Sequence, residues 1–286
     1  MRLPLLPLLL LPVLATAAPA APAATTTTAV AAPAATPLVI GQTFTVASKV
    51  LGETRRINVY RPQPWGLAAD APLPVLYMPD GGTAEDFLHV AGLVQVLSAN
   101  GSMRPFLLVG IENTERRRDM TGPTDDPEDR RIAPRVGGAA AYRRFLRDEL
   151  MPQVQQRYPI TEERAIIGES LAGLFVLDTL LHEPGLFQSY IALDPSLWWN
   201  RGRALAELGE AAPAIARVHP QVFIASSGQP ELARAAGQFV AGLRADAPAV
   251  AVNHLALPQE THATIYHPAA LQALRTLFVP ADAGTH

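Results

Sequence analysis

The stretch that constrains this chain most is Arg164-Ala165-Ile166-Ile167-Gly168-Glu169-Ser170-Leu171-Ala172-Gly173-Leu174-Phe175-Val176-Leu177. It reads as a short β-branched strand, a sharp turn bracketed by small residues, and an apolar helix. A serine at such a strand-to-helix turn is a nucleophile elbow. The turn forces strained backbone angles on the serine, so the residues two places to either side must be small. Gly168 and Ala172 meet that need, although glycine is the usual occupant of the second place. The bland alternative is a serine that merely caps a buried helix.

The chain around the elbow alternates strand and helix. Thr43–Val50 and Thr54–Tyr60 alternate apolar and polar residues about Leu51-Gly52-Glu53, which predicts a hairpin with one solvated face. From Val75 the strands become continuous apolar runs, as a sheet covered on both faces requires. They are Val75–Met78, Phe106–Ile111, Arg164–Ile167, Tyr190–Leu193, Gln221–Ala225 and Val250–Leu257. Helical spacing fills Ala84–Ala99, Ala139–Tyr158, the elbow helix to His182, a segment ending near Arg244, and Pro268–Phe278. Glu112–Val136 reads as a long polar loop rich in Arg and Pro, a length that is usually functional. The pattern predicts an α/β fold with a mainly parallel central sheet, an N-terminal antiparallel hairpin and helices on both faces. In such a sheet the site lies beyond the carboxyl ends of the strands.

Both termini read as lying outside that fold. Arg2 precedes an apolar run from Leu3 to Leu14 and then Ala-x-Ala possibilities, the layout of a secretory signal peptide over residues 1–20. Pro4, Pro7 and Pro12 interrupt the run, which is too short for a membrane span. Residues 21–37 are almost wholly Ala, Pro and Thr and read as a linker; residues 38–280 form one domain and 281–286 a tail. A net charge of −3 over 286 residues gives no reason to expect nucleic acid. The chain has no cysteine, which excludes disulfides, thiolate metal sites, cysteine nucleophiles and a lipid-modified cysteine after the signal.

A serine nucleophile needs a base, and histidine has the fitting pKa. When the order along the chain is serine, acid, histidine, His262 is the base, since it lies directly after the last strand. His267, at the start of the closing helix, is the reserve. His89 and His182 fall on helices, His219 precedes a strand at its wrong end, His254 lies inside the last strand and His286 is terminal. Glu231, just after the penultimate strand, is the expected acid. Asp194 competes for that role, a serine–histidine dyad is a further possibility, and Asp246 reads as surface. The oxyanion of acyl transfer needs backbone donors, for which Leu171 and the flexible pair Gly81 and Gly82 are candidates. Trp198 and Trp199 point opposite ways in an extended chain, so one can line a substrate pocket. Among the loop arginines, Arg118 is the candidate for binding an anionic substrate.

Gly168–Phe175, Ala-Leu-Asp-Pro-Ser-Leu-Trp-Trp-Asn at 192–200 and Arg-Arg-Asp-Met-Thr-Gly-Pro at 117–123 resemble the putative-esterase family. That family includes esterase D and bacterial ferric-siderophore esterases. The resemblance covers roughly Thr43–Phe278. It implies an α/β-hydrolase fold without a large lid domain, hydrolysis of small-molecule carboxylic esters, no cofactor and no metal. The family's serine corresponds to Ser170 and its histidine to His262; its acid varies. Two departures stand out: Asp194 where the family often has serine, and Ala263 where glycine usually follows the histidine. Acyl transfer on the same scaffold and a non-catalytic binding protein are the alternative functions.

Overall fold

The computed structural model describes residues 35–280; the signal-peptide reading, most of the linker and the tail lie outside them. Eight strands among these residues form one sheet in the order β1-β2-β4-β3-β5-β6-β7-β8. Strands β1 (Gln42–Ser48) and β2 (Glu53–Tyr60) form the antiparallel hairpin, and β2 pairs antiparallel with β4 (Leu107–Ile111). Strand β3 (Leu73–Pro79) lies between β4 and β5 (Ile160–Glu169), parallel to both. Strands β6 (Ser189–Leu193), β7 (Gln221–Ser227) and β8 (Ala251–Leu257) extend the parallel part to its edge.

Two-sided burial follows from the continuous apolar runs. In β3, Val75 and Tyr77 face one layer, while Leu76 and Met78 face the other; in β5, Ile166 opposes Ala165 and Ile167 in the same way. On one face the core is completed by Tyr142, Phe145, Leu150, Phe175 and Phe239. On the other it is completed by α1 (Phe87–Ala99) and α9 (Tyr266–Leu277), through residues such as Phe87, Val94, Ala270 and Leu274. Helices thus cover both faces, as the alternation of elements predicts. None of the helices among the described residues is long and apolar enough to cross a membrane.

The chain departs from the sequence reading in three places. The expected loop over residues 112–136 contains two short helices, α2 (Arg116–Met120) and α3 (Pro127–Ile132), the latter capped by the Asp126 carboxylate on the Glu128 N–H. The amphipathic helix after it is α4 (Ala139–Phe145) and α5 (Met151–Arg157), joined by a π-turn at Leu146–Leu150. Pro152 has no N–H to donate back into that turn, which accounts for the widened register. A further helix, α7 (Trp199–Val218), buries Ala204, Leu208, Ala212 and Ile215 at helical spacing, with Pro213 inside it. The two other long helices are α6 (Leu171–His182) and α8 (Pro230–Asp246).

The segment between β4 and α4 is fixed by ion pairs and hydrogen bonds. Arg55, fully buried on β2, pairs with Asp119 of α2 and with Glu53 at 2.7 Å. Its guanidinium lies 5.3 Å from the centre of the Tyr142 ring. From the other side, the Trp199 indole donates to the Gly122 carbonyl at 3.1 Å. The Asn200 side chain donates to the Pro123 carbonyl at 3.0 Å, and its N–H to Asp129 at 2.8 Å. Removing Asp119 breaks the fully buried half of this pairing and leaves the Arg55 charge to the part-exposed Glu53 alone. Asp119→Ala is therefore expected to cost about 3–5 kcal/mol in urea unfolding; a loss within error of zero would show that the pair does not hold this segment.

Candidate active site

The ends of the parallel strands carry their polar groups to one edge of the sheet. Ser170 follows β5 directly and has φ 60° and ψ −119°, a backbone state few non-glycine residues adopt. Three backbone hydrogen bonds hold it there. Its N–H donates to Leu193 O at 3.0 Å, and its carbonyl accepts from Leu174 and Ser196 at 2.9 and 3.0 Å. The small neighbours are a steric requirement. A Cβ on Gly168 would stand 2.6 Å from the carbonyl carbon of Ala172 and 2.7 Å from its methyl. The alanine in the second small place is accommodated because the position it faces has no side chain.

The strain points the Ser170 hydroxyl at His262. Ser170 Oγ lies 2.9 Å from His262 Nε2, and His262 Nδ1 lies 2.7 Å from Asp194 Oδ2. Ser196 Oγ stands 3.3 Å from the same serine oxygen. Asp194 directly follows β6 with φ 45° and is fully buried; its other carboxylate oxygen accepts the Ser227 N–H at 2.8 Å. Burial alone would raise its pKa, but the hydrogen bonds from His262 and Ser227 outweigh that and hold it below the usual carboxylate value. The bond to Asp194 in turn raises the pKa of His262, against the effect of burial and with help from the charge of Glu169. The loop bearing His262 docks on β7 where Gly228 N–H donates to Glu260 O at 2.9 Å; a Cβ on Gly228 would meet Pro258 O at 2.3 Å.

The carboxylate on the histidine is thus Asp194, in place of the expected Glu231. Glu231 sits exposed in the first turn of α8 and lines the open cleft beside Ser170. That cleft, of about 670 Å³, is bounded by Ser170, Ser196, Trp198, Pro230, Leu232 and His262 among others. Trp198 faces it with 44% of its surface exposed, whereas Trp199 is buried against the segment it clamps. Arg118 does not face the cleft; it donates to Glu53 at 2.7 Å and to Asp119 at 2.7 Å. Arg116 is the arginine turned toward the strand ends, and it forms a two-pronged pair with Asp80 at 2.7 and 2.8 Å. His267 is exposed and lies against the His89 ring.

The expected amide donors divide. Leu171 opens α6, where a first-turn N–H has no acceptor within the helix. Gly81 N–H is taken by Ile111 O at 2.9 Å, and Gly82 N–H by the Glu85 carboxylate at 2.7 Å. Glycine at 81 serves packing: a Cβ there would stand 2.2 Å from Gly110 Cα on β4.

The family model described as "Putative esterase" matches residues 48–236. The chain belongs to that family. It is 36% identical over 166 residues to the ferri-bacillibactin esterase BesA of Bacillus subtilis, covering 52% of this chain and 56% of that protein. It is 32% identical over 162 residues to the siderophore triacetylfusarinine C esterase of Aspergillus fumigatus, covering 52% and 53%. The chain spans about half the length of the curated relatives it matches. Among solved structures, an IroE-like serine hydrolase from Shewanella oneidensis superposes with a TM-score of 0.73 at 26% identity, covering 83% of this chain and 80% of that one. The fold is that of the α/β-hydrolases.

Because the methyl added by Gly168→Ala meets backbone, the elbow has to open to admit it. The variant is expected to lose about 1–3 kcal/mol of stability and to separate Ser170 from His262. Thermal unfolding together with ester turnover checks this; wild-type values in both would contradict the steric account.

Proposed function

We propose that this chain is an exported serine esterase in which Ser170, His262 and Asp194 hydrolyse carboxylic esters through an acyl-enzyme. The observation that carries the reading is the continuous hydrogen-bonded chain from Ser170 Oγ through His262 to the buried Asp194. Ser170 Oγ attacks the ester carbonyl while His262 Nε2 takes its proton, and Asp194 fixes the ring and stabilises the imidazolium. His262 then gives that proton to the departing alcohol oxygen. Water repeats the sequence on the acyl-enzyme, releasing the acid and restoring the serine. The Leu171 N–H, and Gly82 N–H if Glu85 releases it, are the backbone donors for the oxyanion.

Relatives named as siderophore esterases support an ester of a siderophore as the natural substrate, and the cleft beside Ser170, with Trp198 on its wall, has room for an aryl or acyl group. An intact chain from nucleophile to carboxylate favours catalysis over a binding protein on the same scaffold. Export rests on the sequence alone: Arg2, the apolar run Leu3–Leu14 and the small residues after it.

Hydrolysis of p-nitrophenyl acetate and of a ferric siderophore lactone tests the reading. Ser170→Ala is expected to lower kcat by at least about a thousandfold with the fold intact. Retained turnover would overturn the assignment. Since Asp194 raises the pKa of His262, the acidic limb of kcat/KM should lie above the ordinary imidazole value of 6.5. Asp194→Asn should move that limb to lower pH and reduce kcat, while Glu231→Gln should leave the limb where it is. The opposite pattern would return the acid's role to Glu231.

A further inference from the structure

The residue between Gly168 and Ser170 is a glutamate, and nothing in an elbow requires one there. Glu169 ends β5 with its side chain only 16% exposed. Its Oε1 lies 3.3 Å from His262 Nδ1, the nitrogen already bonded to Asp194, yet that oxygen has no hydrogen-bond partner. A buried carboxylate oxygen without a donor is unfavourable by itself, so its position beside the imidazole calls for an explanation.

We propose that Glu169 is a second carboxylate for His262, a positioning residue whose negative charge stabilises the imidazolium while Asp194 holds the ring. This rests on the esterase reading above. In the resting site the Nδ1–H of a neutral ring is satisfied by Asp194 alone. When Ser170 Oγ gives its proton to Nε2, the ring carries a full positive charge. An ionised Glu169 at 3.3 Å then stabilises that charge, in a site where solvent screens weakly. The proton stays on Nε2 until it passes to the leaving alcohol, so Glu169 contributes charge and no proton.

The surroundings set when that charge is present. Burial raises the Glu169 pKa to about 7, against the favourable charges of His262 and Arg116 and with the repulsion of Asp194 and Asp80. The groups facing it come from five elements: Asp80 after β3, Arg116 on α2, Asp194 after β6, His262 after β8, and the Tyr266 phenol on α9. Asp86, beside α1, completes the acidic cluster, its own pKa raised to about 6 by burial and by Asp80. Arg116 is the cation in this group, and its two-pronged bond to Asp80 keeps it from neutralising Glu169 directly. The histidine's base strength is thereby tied to a neighbour that titrates close to neutral pH.

The test is the pH profile of kcat/KM for p-nitrophenyl acetate in the full chain. Wild type is expected to rise through two ionisations. Glu169→Gln should show one, displaced to lower pH because the charge that raises the His262 pKa is gone. Its plateau should fall about tenfold, the equivalent of one pKa unit of imidazolium stabilisation, with KM nearly unchanged. Asp194→Asn should keep measurable turnover, and adding Glu169→Gln should remove most of it. A Glu169→Gln profile that superimposes on wild type, or a double variant no slower than Asp194→Asn, would overturn the proposal. Loss of all activity in Ser170→Ala alongside either result would leave the esterase reading standing, so the two failures are separable. Should Glu169→Gln not fold, the proton NMR titration of His262 Hε1 in wild type decides: two inflections are expected, and a single one would overturn it.

Discussion

The structure is arranged around one strained residue. Ser170 is held at φ 60° by hydrogen bonds from its own helix and from the start of the next strand-end loop. The strain is tolerated because Gly168 packs bare against Ala172. Two of those hydrogen bonds draw Leu193 and Ser196 to the turn, and so place Asp194, one of the two residues between them in the chain, against the histidine. Ser170 and the carboxylate on His262 are therefore positioned by one set of contacts. The remaining partner, His262, arrives on a loop that Gly228 allows to approach β7 closely.

Charge at this edge is distributed as carefully as shape. Asp194 is fully buried and doubly hydrogen-bonded, so it stays ionised, whereas Glu169 beside it has no donor and ionises only near neutrality. Two carboxylates at similar distances from one imidazole thus differ because one is given hydrogen bonds and the other is not. The arginines on and around α2 are taken up in structure. Arg55 and Arg118 tie α2 to β2, and Arg116 is engaged by Asp80. The cleft beside Ser170 is left to Trp198, Pro230 and Leu232, with Glu231 as an acidic side chain on its rim.

The features written locally in the chain could be read from it. The continuous apolar strands, the antiparallel hairpin and the small residues around Ser170 express nearest-neighbour sterics and burial, and chain order singles out His262. The choice between Glu231 and Asp194 depended on something less local. Both follow a strand, but Asp194 comes directly after its strand and turns inward with φ 45°, while Glu231 lies four residues beyond Ser227, on the first turn of a helix facing the cleft. A short carboxylate placed immediately at a strand end, followed by proline, was the available signal. Gly81 reads as a flexible donor in sequence, yet its lack of a side chain serves the approach of β4. Arg116 and Arg118 are two residues apart on a helix and so face different ways, which a loop reading of that segment cannot reveal. Helix α7 was masked by Pro213 and by the left-handed backbone of Asn200 and Arg201 at its start.

In the proposed mechanism the fold itself activates Ser170 through His262. Reaction with a fluorophosphonate, followed by peptide mass mapping, tests this without knowledge of the natural ester. One adduct per chain is expected, located on Ser170 and lost in His262→Ala. Folded protein that takes up no adduct, or takes it up at another serine, would contradict it.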